Sequence, residues 1–399
     1  MTLASSPDTV VVALARDGDG LVTGYGPFTL TRNGPHGATS RISDSALAVD
    51  YAYDSLGRLV ERAHTVAGQP LYRIRLSYDV AGRIVERVEA TQGVTETLAY
   101  SYDADGRLTQ ARRGATVVES YAYDANGNRT SAGGQPSSYD GQDRLTERAG
   151  VDYTFDADGF LSQRGPDGAG DSFHYSAAGE LLHAVVAGQV ISYTYDGLGR
   201  RVGRTDAAGS HRYYYASVTD PLQLTASRSP AGALTVYYYD DHGQLFALHR
   251  DGAWYYVATD QVGTPKVVVD AQGQVVKRLE YDSFGRLFTD SVPGFELALG
   301  YAGGLADPAT GLVHFWRRDY ERASGRWTAR DPIFFEGGQW NLYAYAGNDP
   351  VRYRDPSGLA FFANLVKKIK ETLSNLDPVD VAVDAYKDYE AYEDMKKAL

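Results

Sequence analysis

Two Asp-Pro dipeptides, Asp331-Pro332 and Asp355-Pro356, lie 24 residues apart in an aromatic, glycine-rich stretch. Two carboxyl groups held close together share a proton, so that one activates water while the other polarises a carbonyl group. A spacing of 24 residues suits a loop that leaves a sheet and folds back. The pair is therefore a candidate for hydrolysis of a peptide bond. The alternative is turn chemistry, in which Asp caps a loop and Pro fixes φ.

Several neighbours of this pair are also candidates for a role in peptide-bond hydrolysis. Arg330 is a candidate to orient or ionise Asp331, although adjacent Arg and Asp residues more often form a surface ion pair worth under about 1 kcal/mol. Asp349 is either an alternative second acid or a turn cap. Gly337-Gly338 and Gly358 are expected to let backbone pass close to the reacting bond. Burial among aromatic side chains would raise one carboxyl pKa; the aromatic residues in question are Trp327, Phe334, Phe335, Trp340, Tyr343 and Tyr345.

The composition narrows the classes of function. The 399-residue chain has no cysteine and its histidines lie singly, so we expect no metal site and no cofactor. A net charge of −12 argues against a nucleic-acid partner, which would need clustered Lys and Arg. No apolar run reaches the roughly 18 residues of a membrane span, and the N-terminus lacks the basic region of a Sec signal.

A short motif of Tyr-x-Tyr-Asp-x-x-Gly-Arg type recurs along the chain. Its copies include YAYDSLGRLVER from Tyr51, LSYDVAGRIVER from Leu76 and YTYDGLGRRVGR from Tyr193. A degenerate copy, FHYSAAGELLHA, has Ser176 in place of the aspartate. The alternating segments on either side of the motif predict strands, and Asp with Gly predicts a tight turn. One repeat is thus one β-hairpin, and hairpins of this kind must stack into a continuous sheet to be stable.

The role of the repeated Tyr and Arg residues has two interpretations. They form ladders across the stacked sheet, or they present an aromatic platform for sugars. The stacked hairpins form a shell or an open section of one. No polar capping repeat is evident at the start of the chain, so the molecule is either an open section or requires a partner that covers its first edge.

The repeat resembles the YD repeat of Rhs proteins, Tc-toxin C subunits and teneurins, and the likeness covers roughly Tyr51 to Leu359. The segment with Thr310-Gly311-Leu312, Arg318-Asp319-Tyr320 and Gly325-Arg326-Trp327 resembles the Rhs-associated core. NLYAYAGNDPVRYRDPSGL resembles the closing signature of that core. The resemblance implies a β-shell, or cocoon, around a C-terminal polypeptide, and autoproteolysis between Leu359 and Ala360.

Beyond Leu359 the apolar period changes from two residues to 3.6. Phe362, Leu365, Val366 and Ile369 fall on one face of a predicted amphipathic helix, and Asp377-Pro378 opens a second helix. The predicted organisation is a degenerate first repeat over 1–50, YD hairpins over 51–300, an Rhs-associated core with the autoproteolysis motif over 301–359, and a helical C-terminal peptide over 360–399. This peptide is the start of a longer toxin, a remnant of one, or a helical plug. The expected fold class is mainly β, with short helices only at the C-terminus.

The resulting hypothesis is a toxin-delivery shell that encapsulates its own C-terminal peptide and releases it in a single-turnover aspartic autoproteolysis. Such a shell implies an upstream delivery or capping domain, an immunity protein, and export to or across the surface of a bacterial cell without a Sec signal. Two alternatives are a non-cleaving extracellular module that binds glycans or a partner cell, and an inert packaging shell. The toxin-delivery hypothesis requires Asp331 and Asp355 for chemistry, whereas both alternatives need these residues only for structure.

Overall fold

The Asp-x-x-Gly sequences of the repeats fold as tight turns between antiparallel strands. In the computed structural model, which describes residues 12–217 and 220–360, Asp54 shows the arrangement. Its Oδ1 accepts hydrogen bonds from the backbone N–H groups of Leu56 (3.0 Å) and Arg58 (2.9 Å). Gly57 closes the turn with φ of +78°, a conformation that residues with a Cβ rarely adopt. In the degenerate copy, the Ser176 hydroxyl accepts the equivalent bonds, so that copy is a turn as predicted.

The turns join 28 strands into one sheet, and the strand pairings are antiparallel between sequential strands. The first fourteen strands are β1 Leu14–Arg16, β2 Val22–Tyr25, β3 Phe28–Thr31, β4 Arg41–Ser43, β5 Leu47–Tyr53, β6 Leu59–Val66, β7 Gln69–Tyr78, β8 Ile84–Thr91, β9 Val94–Tyr102, β10 Leu108–Arg113, β11 Thr116–Ala122, β12 Ser131–Ala132, β13 Gln135–Tyr139 and β14 Leu145–Arg148. The others are β15 Val151–Phe155, β16 Leu161–Arg164, β17 Asp171–Tyr175, β18 Leu181–Val186, β19 Gln189–Tyr195, β20 Arg201–Asp206, β21 Gly209–Tyr214, β22 Ala226–Arg228, β23 Leu234–Tyr239, β24 Leu245–Arg250, β25 Ala253–Thr259, β26 Pro265–Asp270, β27 Val275–Tyr281 and β28 Leu287–Asp290. Within the described ranges no ladder joins β1 to β28, so the sheet is open.

The repeated Tyr and Arg residues connect each hairpin to the next. The Tyr78 hydroxyl donates a 2.7 Å hydrogen bond to the carbonyl of Leu59 in the preceding repeat, and the Arg58 guanidinium lies 4.4 Å from the centre of the Tyr78 ring. The same hydroxyl-to-carbonyl contact recurs from Tyr102 to Ile84, Tyr123 to Leu108, Tyr195 to Leu181 and Tyr215 to Arg201. These contacts confirm the ladder interpretation, because the motif residues are used for packing between repeats.

One face of the sheet is buried and the other faces solvent. Along β7, Ile74 and Leu76 are buried, whereas Arg73 and Arg75 between them are exposed. The sheet curls so that its early strands pack on late ones: the Phe28 ring makes an edge contact with Phe246 at 4.9 Å. The buried Arg62 guanidinium of β6 donates to backbone carbonyls at the end of β25, more than 190 residues later. The curled sheet confirms the predicted open section of a β-shell.

A second, four-stranded sheet packs on the buried face. Its strands are β29 Leu305–Ala306, β30 Leu312–Phe315, β31 Arg318–Glu321 and β32 Arg326–Trp327. Buried ion pairs from Arg201 to Asp319 (2.9 Å) and from Arg204 to Asp307 (3.0 Å) attach it to β20 of the large sheet. Short 3₁₀ turns occur at Pro35–Gly37, Tyr301–Gly303, Phe334–Gly337 and Ala346–Asn348. Because every residue of β30 to β32 is buried, side chains from this sheet form a site shielded from water.

Two further findings concern the described part of the chain. In residues 12–217 and 220–360, no helix is long and apolar enough to cross a membrane. Over the same ranges, no three His, Cys, Asp or Glu side chains lie together as a metal site. The helices predicted after Leu359, with apolar positions from Phe362 and a second start at Asp377-Pro378, lie outside the described residues.

Candidate functional site

Arg318 connects the two aspartates that the sequence singled out. Its Nη2 lies 2.8 Å from Oδ2 of Asp331 and 3.4 Å from Oδ2 of Asp355. All three side chains are almost fully buried, with exposed fractions of 2%, 6% and 1%. Because one nitrogen contacts an oxygen of each carboxyl group, the two carboxyl groups face the same small space. The structure therefore brings together the pair predicted from sequence.

The backbone fixes Arg318 and Asp331 relative to each other. Arg318 begins β31, and its Nη1 donates a 3.1 Å hydrogen bond to the carbonyl of Leu342. The same carbonyl accepts the backbone N–H of Asp331 at 3.0 Å. Asp331 Oδ1 accepts the N–H of Ile333 at 3.0 Å, as in other Asp turns of this protein. Asp331 therefore caps its loop with Oδ1, as the turn interpretation predicts, while its Oδ2 pairs with Arg318.

Asp355 is held by the residues that follow it. Its Oδ1 accepts hydrogen bonds from the Ser357 hydroxyl at 2.9 Å and from the N–H of Leu359 at 3.2 Å. The N–H of Ala360 also bonds to this carboxyl group. The Asp355 carboxyl therefore touches the amide nitrogen on each side of the Leu359 residue, including the nitrogen of the bond predicted to break.

Two glycines allow the backbone of Leu359 to enter the site. A Cβ atom placed on Gly337 would lie 2.7 Å from the carbonyl oxygen of Leu359 and 2.8 Å from Oδ2 of Asp331. Gly358 has φ of +66°, and a Cβ there would collide with the backbone of Phe315 and Arg318. Arg318 Nε also donates to the Gly358 carbonyl. These contacts confirm the prediction that Gly337 and Gly358 permit close approach, and they place the Leu359 carbonyl beside Asp331.

Burial controls the ionisation of the site. It raises the pKa of Asp331 to about 6, with the charge of Arg318 opposing the rise and Asp355 adding to it. Burial also raises the pKa of Asp355, against Arg318, Ser357 and the two amide N–H groups. The pKa of Arg318 is lowered by burial although both carboxyl groups oppose this. Near pH 6 Asp331 is therefore present in both protonated and ionised forms, which is the state required for acid–base work.

Arg330 and Asp349 have partners other than the cluster of Arg318, Asp331 and Asp355. Arg330 is exposed, and its guanidinium lies 5.5 Å from the centre of the Phe334 ring. The cation beside Asp331 is Arg318, so the supporting position predicted for Arg330 is occupied by another residue. Asp349 is buried and its pKa is raised by burial to about 6, but its Oδ1 accepts the N–H of Arg352 at 3.3 Å. Its described contacts make it a turn cap.

The predicted aromatic setting is found only in part. Trp327 is buried under Arg318, whose guanidinium lies 4.2 Å from the ring centre, and Tyr343 and Tyr345 are also buried. The other three aromatic residues, Phe334, Phe335 and Trp340, point to solvent. They belong to the loop that crosses Leu359 and do not desolvate the carboxyl groups.

Sequence reasoning missed Arg318 and Ser357 as members of the site. The signal for Arg318 lay in the Arg318-Asp319-Tyr320 motif, where its neighbour Asp319 points away to pair with Arg201. Alternation along a strand sends successive side chains to opposite faces, so Arg318 and Asp319 of β31 necessarily serve different partners. Ser357 lay between Asp355 and Leu359 in the closing signature.

Comparisons with known proteins agree with the fold. The Teneurin YD-shell family model matches residues 9–351, which includes Arg318 and Asp331 and stops before Asp355. Teneurin-4 of Mus musculus is 36% identical over 274 residues, covering 64% of this chain and 10% of the relative. Teneurin-3 of Danio rerio is 35% identical over 273 residues, with the same two coverages. The chain thus spans about a tenth of the length of these curated relatives.

Solved structures of Tc toxins share the architecture. A crystal structure of TcdB2-TccC3-TEV matches with a TM-score of 0.70 at 18% identity, covering 87% of this chain and 20% of that one. A Tc holotoxin pore of Photorhabdus luminescens matches with a TM-score of 0.69 at 17% identity, covering 88% and 20%. At these identities the likeness concerns the fold alone. The family model matches most of the length of the chain, and this match shows that the chain belongs to the Teneurin YD-shell family.

Proposed function

We propose that this YD shell cuts its own chain once, between Leu359 and Ala360, and thereby frees the C-terminal peptide that it encloses. The observation that carries the proposal is the position of the Leu359 carbonyl, which lies beside Asp331 while Asp355 bonds to the amide nitrogens of Leu359 and Ala360. Asp355 therefore contacts the backbone on the amide side of this peptide bond, and Asp331 faces its carbonyl oxygen across the space that Gly337 leaves open.

The arrangement gives each carboxyl group a separate role. Protonated Asp331 donates a hydrogen bond to the Leu359 carbonyl oxygen, and ionised Asp355, supported by Arg318 and Ser357, accepts a proton from the attacking water. The water oxygen bonds to the Leu359 carbonyl carbon, and the proton of Asp331 passes to the carbonyl oxygen. In the second half, the bond to Ala360 breaks, Asp355 passes its proton to the leaving nitrogen, and Asp331 recovers a proton from the new carboxyl group.

Arg318 is the positioning residue of this mechanism. Its Nη2 lies 2.8 Å from Asp331 and 3.4 Å from Asp355, and its charge favours the ionised form of both carboxyl groups. At Asp331 burial outweighs this charge and raises the pKa to about 6, so Asp331 still holds a proton below that pH. The bond from Arg318 Nε to the Gly358 carbonyl also fixes the peptide group one residue before Leu359. The same guanidinium therefore aligns both carboxyl groups and the chain to be cut.

Mapping of chain termini tests the site of cleavage. A new α-amino group at Ala360 and a new α-carboxylate at Leu359 are the expected termini of the purified protein. A cut at another bond, for example at an acid-labile Asp-Pro sequence, would contradict the assignment of Leu359 and Ala360.

The wider setting belongs to the same proposal. Solved structures with a similar fold contain TccC3 of Tc toxins, which supports a shell that carries a polypeptide in a toxin-delivery system. An exported bacterial protein with an upstream delivery or capping domain and an immunity partner fits this role.

A second candidate function is a non-cleaving binding module outside the cell. The 36% identity to a teneurin favours it, since that identity exceeds the likeness to the toxin structures. The motif tyrosines do not form a free platform, because the hydroxyls of Tyr78, Tyr102 and Tyr195 bond to carbonyls of the neighbouring repeat. Recognition would then depend on the outer face of the sheet, and an uncut chain would favour this function or inert packaging.

A further inference from the structure

Three exposed aromatic side chains belong to the loop between β32 and the Ala346–Asn348 turn. This aromatic patch consists of Phe334, Phe335 and Trp340, which are 49%, 58% and 86% exposed. The Phe335 and Trp340 rings are 5.7 Å apart, so the two rings form one continuous apolar surface. Phe334 has φ of +52°, a conformation that aromatic residues rarely adopt. Contiguous exposed aromatic surface of this kind marks a docking site.

The position of the patch indicates what covers it. Gly337 lies within the same loop, and it is the residue whose Cα approaches the Leu359 carbonyl so closely that a Cβ would be 2.7 Å from the oxygen. The aromatic patch therefore lies next to the point where the chain reaches Ala360, which is itself buried. Consecutive Cα atoms are 3.8 Å apart, so the residues that directly follow Ala360 cannot be far from this loop.

We propose that the aromatic patch is the docking surface for the segment Phe361 to Ile369 of the same chain. This segment carries Phe361, Phe362, Leu365, Val366 and Ile369, all apolar, and begins one residue after the site. Docking of these side chains on Phe334, Phe335 and Trp340 removes apolar surface from water on both sides. The contact does not require the bond after Leu359 to be cut, and after cleavage it keeps the freed peptide on the shell.

Cysteine cross-linking in the full chain tests the contact, because the protein has no cysteine of its own. Glu336, exposed beside the patch, is changed to Cys together with Ala363→Cys, and the pair is oxidised under mild conditions. The matched control combines Ala363→Cys with Val190→Cys, an exposed position in β19. We expect the 336–363 disulfide to form in about fivefold or higher yield than the 190–363 disulfide, as measured by peptide mass mapping. Equal yields, or disulfides between different copies of the chain, would overturn the proposal.

A second measurement uses Trp340 without new cysteines. In the variant with Phe361→Ser and Phe362→Ser, hydroxyl-radical labelling of Trp340 is expected to rise about threefold or more. The two serine side chains do not cover the indole as the phenylalanine rings do. Phe288, which is 61% exposed on β28, serves as the internal reference and is expected to stay constant. Unchanged labelling of Trp340 would overturn the docking, and because the experiment is repeated in uncut Asp355→Asn, its outcome is independent of cleavage.

Discussion

Arg318 Nη2 and Asp331 Oδ2 are 2.8 Å apart in the buried site, and this contact joins β31 to the loop that follows β32. Replacing Arg318 with Met removes the charge and leaves two buried carboxyl groups without their cation. We expect a loss of roughly 3–5 kcal/mol in the free energy of unfolding, the usual cost of breaking a buried pair from one side. Urea titration measures this value.

The variant Arg318→Lys separates charge from geometry at the same position. Lys supplies one ammonium group where Arg supplies a planar fork, so it keeps the charge but loses the alignment of Gly358 and both carboxyl groups. We expect a folded protein whose cleavage is slower by about tenfold or more. Cleavage of Arg318→Lys at the rate of the unmodified chain would show that the fork is not needed.

Gly337 is predicted to be necessary for cleavage, because the absence of a side chain leaves space for the Leu359 carbonyl beside Asp331. The Cβ of Gly337→Ala would lie 2.7 Å from the Leu359 oxygen and 2.8 Å from Asp331 Oδ2, so one of them must move. A displacement of about 1 Å at a reacting bond costs up to about 100-fold in rate. Gly141→Ala is the control, because a Cβ at Gly141 has no atom within 4 Å. Equal cleavage of the two variants, followed on denaturing gels over time, would show that the Leu359 carbonyl does not react in this position.

The rate of cleavage is predicted to depend on pH. Asp331 must carry a proton to polarise the carbonyl, and its pKa is about 6, so the rate falls as the pH rises through 6. Single-turnover rates measured over a range of pH are therefore expected to decrease on the alkaline side of pH 6. A rate that increases steadily up to pH 9 would contradict the assigned roles.

Asp349 gives a stability prediction with a defined sign. Burial raises its pKa to about 6 in the folded protein, above the value of about 3.9 in an unfolded chain, so the folded state binds the proton more tightly. The stabilisation due to the bound proton is present below pH 4 and is lost as the pH rises to 6. Asp349→Asn removes this ionisation, so the variant is expected to lose less stability than the unmodified protein between pH 4 and pH 7.

The measurement is thermal unfolding of both proteins at several pH values. Asp349→Asn is also expected to cleave normally, since Asp349 caps a turn with Arg352 and not with Arg318. If the stability of the two proteins changes with pH in parallel, ionisation of Asp349 does not contribute to the pH dependence. If Asp349→Asn blocks cleavage while Asp331→Asn does not, the reacting carboxyl pair has been assigned incorrectly.

The contacts between repeats are predicted to contribute individually to stability. Tyr78→Phe removes the 2.7 Å hydrogen bond to the Leu59 carbonyl and keeps the ring under Arg58. A loss of about 1 kcal/mol in the free energy of unfolding is expected. The control Tyr214→Phe changes a tyrosine that is 39% exposed and should have little effect. Equal effects of the two changes in chemical denaturation would show that the Tyr ladder does not stabilise the stack.

Much of the fold follows from local sequence, because each Asp-x-x-Gly turn is specified by its own residues. Asp54 and Gly57 determine a turn without help from distant chain, and even Ser176 replaces the aspartate in the same geometry. The curling of the sheet is not local: it depends on contacts such as Phe28 with Phe246, which no spacing rule connects.

In the candidate site, too, some residues can be predicted from the sequence and others only from the fold. Asp331 and Asp355 stand out because each precedes a proline, and Gly337 because it is paired with Gly338. Arg318 carries no such mark, since an arginine in a strand has many uses and only the fold shows that this one meets both carboxyl groups. Arg330 was the nearest cation in sequence, but at the surface it contacts the Phe334 ring and not Asp331. Adjacent residues in an extended chain point in different directions, so the arginine next to Asp331 in sequence is not the arginine that pairs with it.

The intact mass of freshly purified protein tests self-cleavage most directly. The unmodified chain is expected to give two masses, corresponding to Met1 to Leu359 and Ala360 to Leu399, whereas Asp331→Asn and Asp355→Asn each give one mass for all 399 residues. Asn keeps the shape of the side chain but cannot exchange a proton with water, so both variants should fold and remain uncut. A single mass of 399 residues for the unmodified chain, after prolonged incubation between pH 4 and pH 8, would contradict the account.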